Sequence, residues 1–196
     1  MQITSSTDSE RNLAIELILE DIPGGGVIES DDFKAASTGM AAGALVDIDS
    51  DGIWHLTKTA MVLNAVGATG TGGLTLRVYQ NHEFKVGDLV TIPANTATGF
   101  GITSITASGT VCDVVTLASA INVAIPASGL IIEGATSGFY GGGFRYSPTA
   151  IATNTVDLRN ENTGCGLMVR GRVRQGELPY VVDSTLKALF PLIRFV

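Results

Sequence analysis

The sequence predicts a mainly β fold: a composite β base from the N- and C-terminal thirds, an inserted small β-barrel or sandwich module, and one short C-terminal helix. Threonine, valine, isoleucine, alanine and glycine dominate while lysine and glutamate are scarce, which favours pleated sheets over helices. In the middle of the chain, short apolar segments recur between turns at a spacing of about 8 to 12 residues, as in small barrels and sandwiches. Glycine-rich stretches at 67–73 and 138–143 bracket this middle block and predict hinges.

The N-terminal third begins with a polar segment, residues 1–12, which we expect to be mobile. Residues 13–22 are ambiguous: leucine and isoleucine alternate as in a strand, while Glu16 and Glu20 also fit one helical face. We favour a strand. Pro23 and the three glycines after it end this segment, and the acidic stretch up to Asp32 is predicted to be a loop.

A hairpin is the clearest local prediction, over residues 44–57. Ser50, Asp51 and Gly52 form its turn, because glycine after aspartate supplies the positive φ that a tight turn needs. After Thr59 an apolar segment continues to Val66, and the first glycine-rich stretch follows.

The middle block is predicted to contain five short strands. They are residues 74–79, 89–92, 101–107, 111–117 and 130–133. The C-terminal third adds strands at 155–158 and 167–173 and a short helix from about Asp183 to Phe190, which Asp183 or Ser184 begins and Pro191 stops. We therefore predict that residues 1–66 and 136–196 form the base, which would face a partner, and that 67–135 are the inserted module.

Composition argues against several classes of function. A net charge of −7 is unfavourable for sequence-independent binding of nucleic acid. The two cysteines, Cys112 and Cys165, form no CxxC pair, so a zinc site or disulfide framework is not expected. No export signal and no apolar run long enough to span a membrane is visible, which predicts synthesis in a cytoplasm and no membrane association.

One string resembles a metal-binding motif. Residues 47–52 (DIDSDG) reproduce the first six positions of an EF-hand calcium loop, but the twelfth position is Lys58 where a bidentate glutamate is needed. A hairpin turn with acidic edges is the favoured interpretation, and we predict no cofactor.

Catalytic groups are not evident either. The only histidines are His55 and His82, and no known nucleophile motif accompanies them, so we interpret both as surface or packing residues. The chain is predicted not to be an enzyme; a hydrolase with unrecognised active groups is the least favoured alternative.

Charge is unevenly distributed along the chain. Residues 1–34 hold eight carboxylates against two cations, whereas 141–196 hold seven cations against four carboxylates. Arg170, Arg172 and Arg174 stand at period two and should project from one sheet face. The residues predicted to contact a partner are Arg170, Arg172, Arg174, Glu16, Glu20, Asp31 and Asp32.

This pattern fits head-to-tail contact between copies, with an acidic arm on a basic face, or contact with another protein. A solvated basic stripe is an equal alternative. The low share of charged residues also favours an assembly whose neighbours cover apolar surface, with an efficiently packed monomer as the alternative. The apolar C-terminus, 186–196, is expected to pack in its own subunit rather than on a symmetry mate.

The C-terminal string at 165–180 (CGLMVRGRVRQGELPY), with the sequence that follows it to Val196, resembles the ending of head-fibre or head-decoration proteins of tailed bacteriophages, especially crAss-like phages of Bacteroidetes. The strings at 86–92 (VGDLVTI) and 102–107 (ITSITA) resemble the small β modules of the same proteins.

The resemblance implies a capsid auxiliary protein, located on the outside of the phage head and made in the host cytoplasm. Its partners would be the major capsid protein and copies of itself, as a homotrimer. The alternative is a carbohydrate-binding or adhesive module for host or mucus attachment, with Tyr79, His82 and Phe100 in the middle block.

Overall fold

The structure is a computed structural model. It describes residues 14–34, 37, 39–64, 74–92, 95–121, 124–135, 143–158 and 161–196. The predicted polar arm at 1–12 and both predicted hinges, apart from Gly143, lie outside these residues. The fold is mainly β, as predicted, with one short α-helix.

The first sheet combines strands from both ends of the chain. In spatial order it contains β1 (Ile15–Asp21), β15 (Leu167–Val173), β12 (Ala150–Ala152), β4 (Leu45–Ile48), β5 (Trp54–Leu56), β2 (Gly26–Ile28) and β14 (Thr163–Cys165). An eighth strand, β16 (Ile193–Phe195), pairs with β15 in parallel. Strand β1 is at one edge of this order, antiparallel to β15.

The second sheet comes from the middle of the chain. Its order is β6 (Thr59–Met61), β11 (Leu130–Glu133), β8 (Leu89–Ile92), β9 (Asn95–Ser108), β10 (Cys112–Leu117) and β7 (Thr75–Tyr79). An antiparallel bridge joins Val62 to Val78, and the N–H of Leu63 donates to the carbonyl of Arg77. The first and last strands therefore meet, and the sheet curls into a partly closed barrel.

Strand β11 is shared between two apolar cores. Ile131 packs into the barrel core with residues such as Phe84, whereas Leu130 and Ile132 face the core of the first sheet. Successive side chains of a strand point to opposite faces, so β11 serves as a wall common to both layers. A third, two-stranded sheet pairs β3 (Gly39–Met40) with β13 (Val156–Asp157).

The C-terminal segment forms the short helix α1 (Ser184–Ala188). Asp183 caps it, because its Oδ1 accepts the N–H of Leu186 at 2.9 Å. Leu186, Phe190 and Ile193 are buried against the first sheet, which confirms that this apolar segment packs in its own subunit. Leu192 and Val196 nevertheless remain exposed.

Most predicted strands are confirmed. The hairpin at 44–57 forms from β4 and β5, with Gly52 at φ +84° in its turn, and the ambiguous N-terminal segment is a strand. The predicted loop up to Asp32 was wrong in part, since Gly26–Ile28 forms a strand between β5 and β14. Strand β9 begins six residues earlier than predicted, and only Val156–Asp157 of 155–158 is a strand.

The two main sheets use separate parts of the sequence. Strands of the first lie within 15–56 and 150–195, and strands of the second within 59–133. Strand β6 falls in the segment predicted to belong to the base, yet it pairs with β11 in the second sheet. The division into a base and an inserted module stays a prediction, because β11 joins the two cores.

Candidate functional site

The predicted contact residues of the two chain ends meet on strands β1 and β15. An Nη1 of Arg172 lies 3.5 Å from Oε1 of Glu16, and Glu20 is in register with Arg170. Arg170 and Arg174 are exposed, and the backbone N–H of Arg174 donates to the carbonyl of Ala14. We call this the β1–β15 surface, defined by Glu16–Glu20 and Arg170–Arg174.

The acidic residues beside the arginines belong to the same chain, whereas the head-to-tail interpretation takes them from a neighbouring copy. Glu16 and Glu20 approach the arginines of their own chain, since β1 folds back along β15. The repulsion among three neighbouring guanidinium groups is thus partly relieved within the subunit. Arg174 is left as an exposed cation at the end of the stripe.

Asp31 and Asp32 lie elsewhere, in a 3₁₀ turn at Ser30–Asp32 beside β5. Asp31 is exposed and its carbonyl accepts from Lys85. Asp32 is only 5% exposed, and its Oδ2 accepts from the N–H of Leu56 at 2.9 Å and contacts Nδ1 of His55 at 3.0 Å. The prediction that Asp32 contacts a partner was therefore wrong, because its carboxylate is used inside the fold.

Strand β1 presents aliphatic side chains to solvent. Leu17, Ile18 and Leu19 are 44%, 45% and 61% exposed, and the pairing of β1 with β15 shifts register on either side of Leu17 and Ile18. An edge strand that exposes three consecutive large aliphatic residues is unusual in a protein that stays monomeric. The sequence pattern gave the strand but not its exposure.

A buried polar junction lies where the chain passes between the two sheets. It consists of Lys58, Asp88, Glu133 and Arg145. Lys58 Nζ lies 2.8 Å from Oδ2 of Asp88 and 3.5 Å from Oε1 of Glu133, and that same oxygen accepts from Arg145 at 2.6 Å. Lys58 is 1% exposed, so its charge depends entirely on these partners.

Backbone hydrogen bonds also join the segments that carry Lys58, Glu133 and Arg145. The N–H of Glu133 donates to the carbonyl of Lys58, and that of Arg145 donates to the carbonyl of Glu133. Burial raises the pKa of Glu133 despite the nearby cations, and its Oε2 has no hydrogen-bond partner among the described residues. The junction therefore joins segments next to both sheets through side-chain and backbone contacts. A lone lysine within the apolar stretch 53–62 was the sequence signal for it.

His55 belongs to the same region. Its ring lies between Asp32 and Asp49 and stacks on Tyr146, with 4.0 Å between centroids and 3° between planes. Oδ1 of Asp49 accepts the N–H groups of Asp51 and Ile53, which confirms the hairpin interpretation of the calcium-like string. The hydrogen bond from Ile53 lowers the pKa of Asp49. Within the described residues no group of three or more His, Cys, Asp and Glu is placed to hold a metal ion.

His82 was predicted to be a surface or packing residue in a polar turn, and it is fully buried. Its Nδ1 accepts the N–H of Phe84 at 3.1 Å, so Nε2 carries the proton and donates to Oδ2 of Asp113 at 3.1 Å. Burial lowers the pKa of His82 to about 4. The imidazole is therefore a neutral structural bridge inside the barrel.

A shallow groove of about 320 Å³ lies between the barrel and the segment before helix α1. Met61, Asn81 and Tyr180 line it, and the adjoining surface includes Tyr79. Burial raises the pKa of Tyr180 strongly, so its hydroxyl stays protonated.

Comparison with known proteins adds no relative: no protein-family model, curated protein or solved structure matches the chain. None of the helices in the described ranges is both long enough and apolar enough to cross a bilayer.

Proposed function

We propose that the chain is a structural virion protein: a capsid auxiliary protein or head-fibre base that binds the outside of a phage head. The observation that carries the proposal is the β1–β15 surface, where exposed aliphatic residues lie beside a stripe of arginines. That surface includes β15, which lies within the C-terminal string that resembles head-decoration proteins. Its partners are the major capsid protein and other copies of the chain, as a homotrimer.

Binding to a repeated capsid lattice explains how a small contact surface on each copy is enough for stable attachment. Each copy makes a weak contact through apolar and charged side chains, and the repeated capsid surface multiplies these contacts into high avidity. Arg170 and Arg174 are both exposed; Arg170 is in register with Glu20, so Arg174 is the cation offered to a carboxylate-bearing partner. The protein is made in the host cytoplasm and resides on the capsid exterior.

The test is cosedimentation of the purified chain with capsids assembled from the major capsid protein of the same genome. Arg174→Glu should lower the affinity at least about fivefold, because it places a like charge against the acidic partner. Arg77→Glu is the matched control, since Arg77 is an exposed arginine on β7 of the other sheet. It should bind as the unmodified chain does. Equal binding by all three proteins would remove the β1–β15 surface from the proposal, and absence of any binding would reject the capsid role.

A second candidate is a carbohydrate-binding or adhesive module, favoured by the groove beside Tyr79. Tyr79 is exposed next to Gln80 and Asn81, so an aromatic ring lies beside amide groups that can hydrogen-bond the hydroxyls of a sugar. Two of the three residues predicted for this role were wrong, since His82 and Phe100 are buried in the barrel core. Glycan-array binding by the full chain that Tyr79→Ala abolishes and Val86→Ala preserves would support this function; no binding would reject it.

A further inference from the structure

Strand β1 is an open sheet edge. It is the last strand in the order of the first sheet, and no described strand lies along its outer side. Natural edge strands are commonly protected by charged side chains, above all lysine, by proline, by β-bulges or by a covering element. Strand β1 has no lysine or proline; its pairing with β15 shifts register at three points and it carries three carboxylates, yet it exposes Leu17, Ile18 and Leu19 between Glu16 and Glu20. Such an edge can accept another strand through backbone hydrogen bonds.

The sequence of β1 indicates which strand fits it. Residues 16–20 read Glu-Leu-Ile-Leu-Glu, a palindrome centred on Ile18. If two copies of β1 pair antiparallel about a two-fold axis at Ile18, Ile18 faces itself and Leu17 faces Leu19 of the other copy. Shifting the pairing by one or two residues in either direction sets a glutamate against an aliphatic residue. The centred register alone matches all three aliphatic residues with one another.

The same register sets Glu16 opposite Glu20 of the other copy, which would be unfavourable for bare carboxylates. Each of these glutamates has an arginine on its inner side: Arg172 lies 3.5 Å from Glu16, and Arg170 is in register with Glu20. Across β15, β1 and the two strands of the second copy, the four charges of each half therefore follow one another as cation, anion, anion, cation, with each glutamate next to an arginine. The flanking arginines offset the repulsion between the glutamates.

We propose that β1 is a self-association strand: two copies of the chain join by antiparallel β1–β1 pairing about a two-fold axis through Ile18, which makes their first sheets continuous. The contact is isologous, because the same residues are used on both copies. It goes beyond the proposed function, since it would hold equally for an adhesive module. It joins copies in pairs, either as free dimers or as links between trimers.

Disulfide trapping tests the register directly. In antiparallel pairs the Cα atoms of opposed residues lie about 4.5 to 5.5 Å apart, within the range that a disulfide spans. Ile18→Cys should form a covalent dimer under mild oxidation, visible on a non-reducing gel. Leu17→Cys and Leu19→Cys should cross-link mainly when the two are mixed. The native Cys112 and Cys165 are buried and stay unreactive.

The matched control is Val86→Cys, because Val86 is an aliphatic residue of similar exposure, 63%, in a turn of the barrel. It should give no dimer above the background of the unmodified chain. Cross-linking of Ile18→Cys no faster than that of Val86→Cys would overturn the proposal. Cross-linking of Leu17→Cys alone as fast as that of Ile18→Cys would overturn the register.

Charge pairing separates loss of the contact from loss of folding. Ile18→Lys and Ile18→Glu should each raise the dimer dissociation constant at least about tenfold, because each sets like charges face to face. Mixing the two variants should restore dimers, since lysine then faces glutamate across the axis. Failure of the mixture to associate would contradict the two-fold contact. The capsid assay with Arg174→Glu is independent of this result, so the two proposals can fail separately.

Discussion

At the scale of single residues, His82 makes the stability of the folded chain depend on pH. The N–H of Phe84 requires an unprotonated Nδ1, and burial lowers the pKa of the imidazole from 6.5 to about 4. In the unfolded chain His82 binds a proton below about pH 6.5, whereas in the folded chain it binds one only below about pH 4. This contribution to stability is therefore complete above pH 6.5 and is lost as the pH falls towards 4; it amounts to about 3 kcal/mol.

We expect His82→Gln to unfold more easily than the unmodified chain at pH 7.5, and the gap between their free energies of unfolding to narrow steadily down to pH 4. Urea unfolding at several pH values measures this gap. The raised pKa values of Asp32 and Glu133 act in the opposite direction, but both proteins retain these groups, so their effects cancel in the difference. If the difference in free energy of unfolding between the two proteins does not change with pH, His82 is not held neutral in the folded chain.

Lys58 is the residue on which the polar junction depends. Lys58→Met keeps the length of the side chain but leaves Asp88 and Glu133 buried without their cation. We expect it to lower the free energy of unfolding by about 3 to 5 kcal/mol. Lys187→Met is the control, since Lys187 is only partly buried on helix α1, and it should cost less than about 1 kcal/mol. Equal costs for the two variants would show that the junction does not stabilise the fold.

Single residues were the least predictable part of the site. Period two at 170–174 placed Arg170 and Arg172 on one strand, with Arg174 just after it, but the acidic residues beside them come from the same chain and not from the neighbouring copy of the head-to-tail interpretation. Burial could not be deduced for Asp32, His82 or Lys58, because each is a polar residue whose burial depends on partners distant in sequence. Asp113, for example, lies 31 positions from His82.

At the scale of elements, Gly171 governs how β1 docks. A Cβ at this position would overlap the carbonyl oxygen of Leu17, so β1 can approach β15 only because residue 171 is glycine. Gly171→Ala should cost about 1 to 3 kcal/mol and loosen β1. Gly164→Ala is the matched control in strand β14, where an added Cβ meets no atom within 4 Å.

Hydrogen exchange measures the effect on the element itself. Backbone amides of β1 should exchange faster in Gly171→Ala than in the unmodified chain, while those of barrel strands such as β10 keep their rates. Unchanged exchange along β1 would mean that the strand tolerates the extra methyl group and that its docking is not set by this contact.

Strands that begin and end at glycine-containing turns could be predicted from the sequence. The bounds of β8 and β11, for example, match the apolar segments between such turns. Strand β2 was missed because its three residues follow a glycine run and are held by β5 and β14 rather than by a pattern of their own. Strand β9 exceeds its predicted span for the same reason: pairing with β8 and β10 extends it beyond its apolar segment.

At the scale of the whole molecule, two features determine what the chain can do. The shared strand β11 and the polar junction fix the barrel to the first sheet, and the β1–β15 surface leaves aliphatic and cationic side chains uncovered. The mainly β class and the partly barrel-like middle followed from composition and turn spacing. A base built from both ends of the chain was also predicted, but the pairing of β1 with β15 was not, because it joins residues far apart in the sequence.

The mass of the purified full chain in solution, measured by sedimentation over a range of concentrations, tests most directly whether this surface is completed by neighbours. We predict assemblies whose mass is a multiple of the 20.3 kDa subunit and grows with concentration. A mass of 20.3 kDa at every concentration would contradict the account.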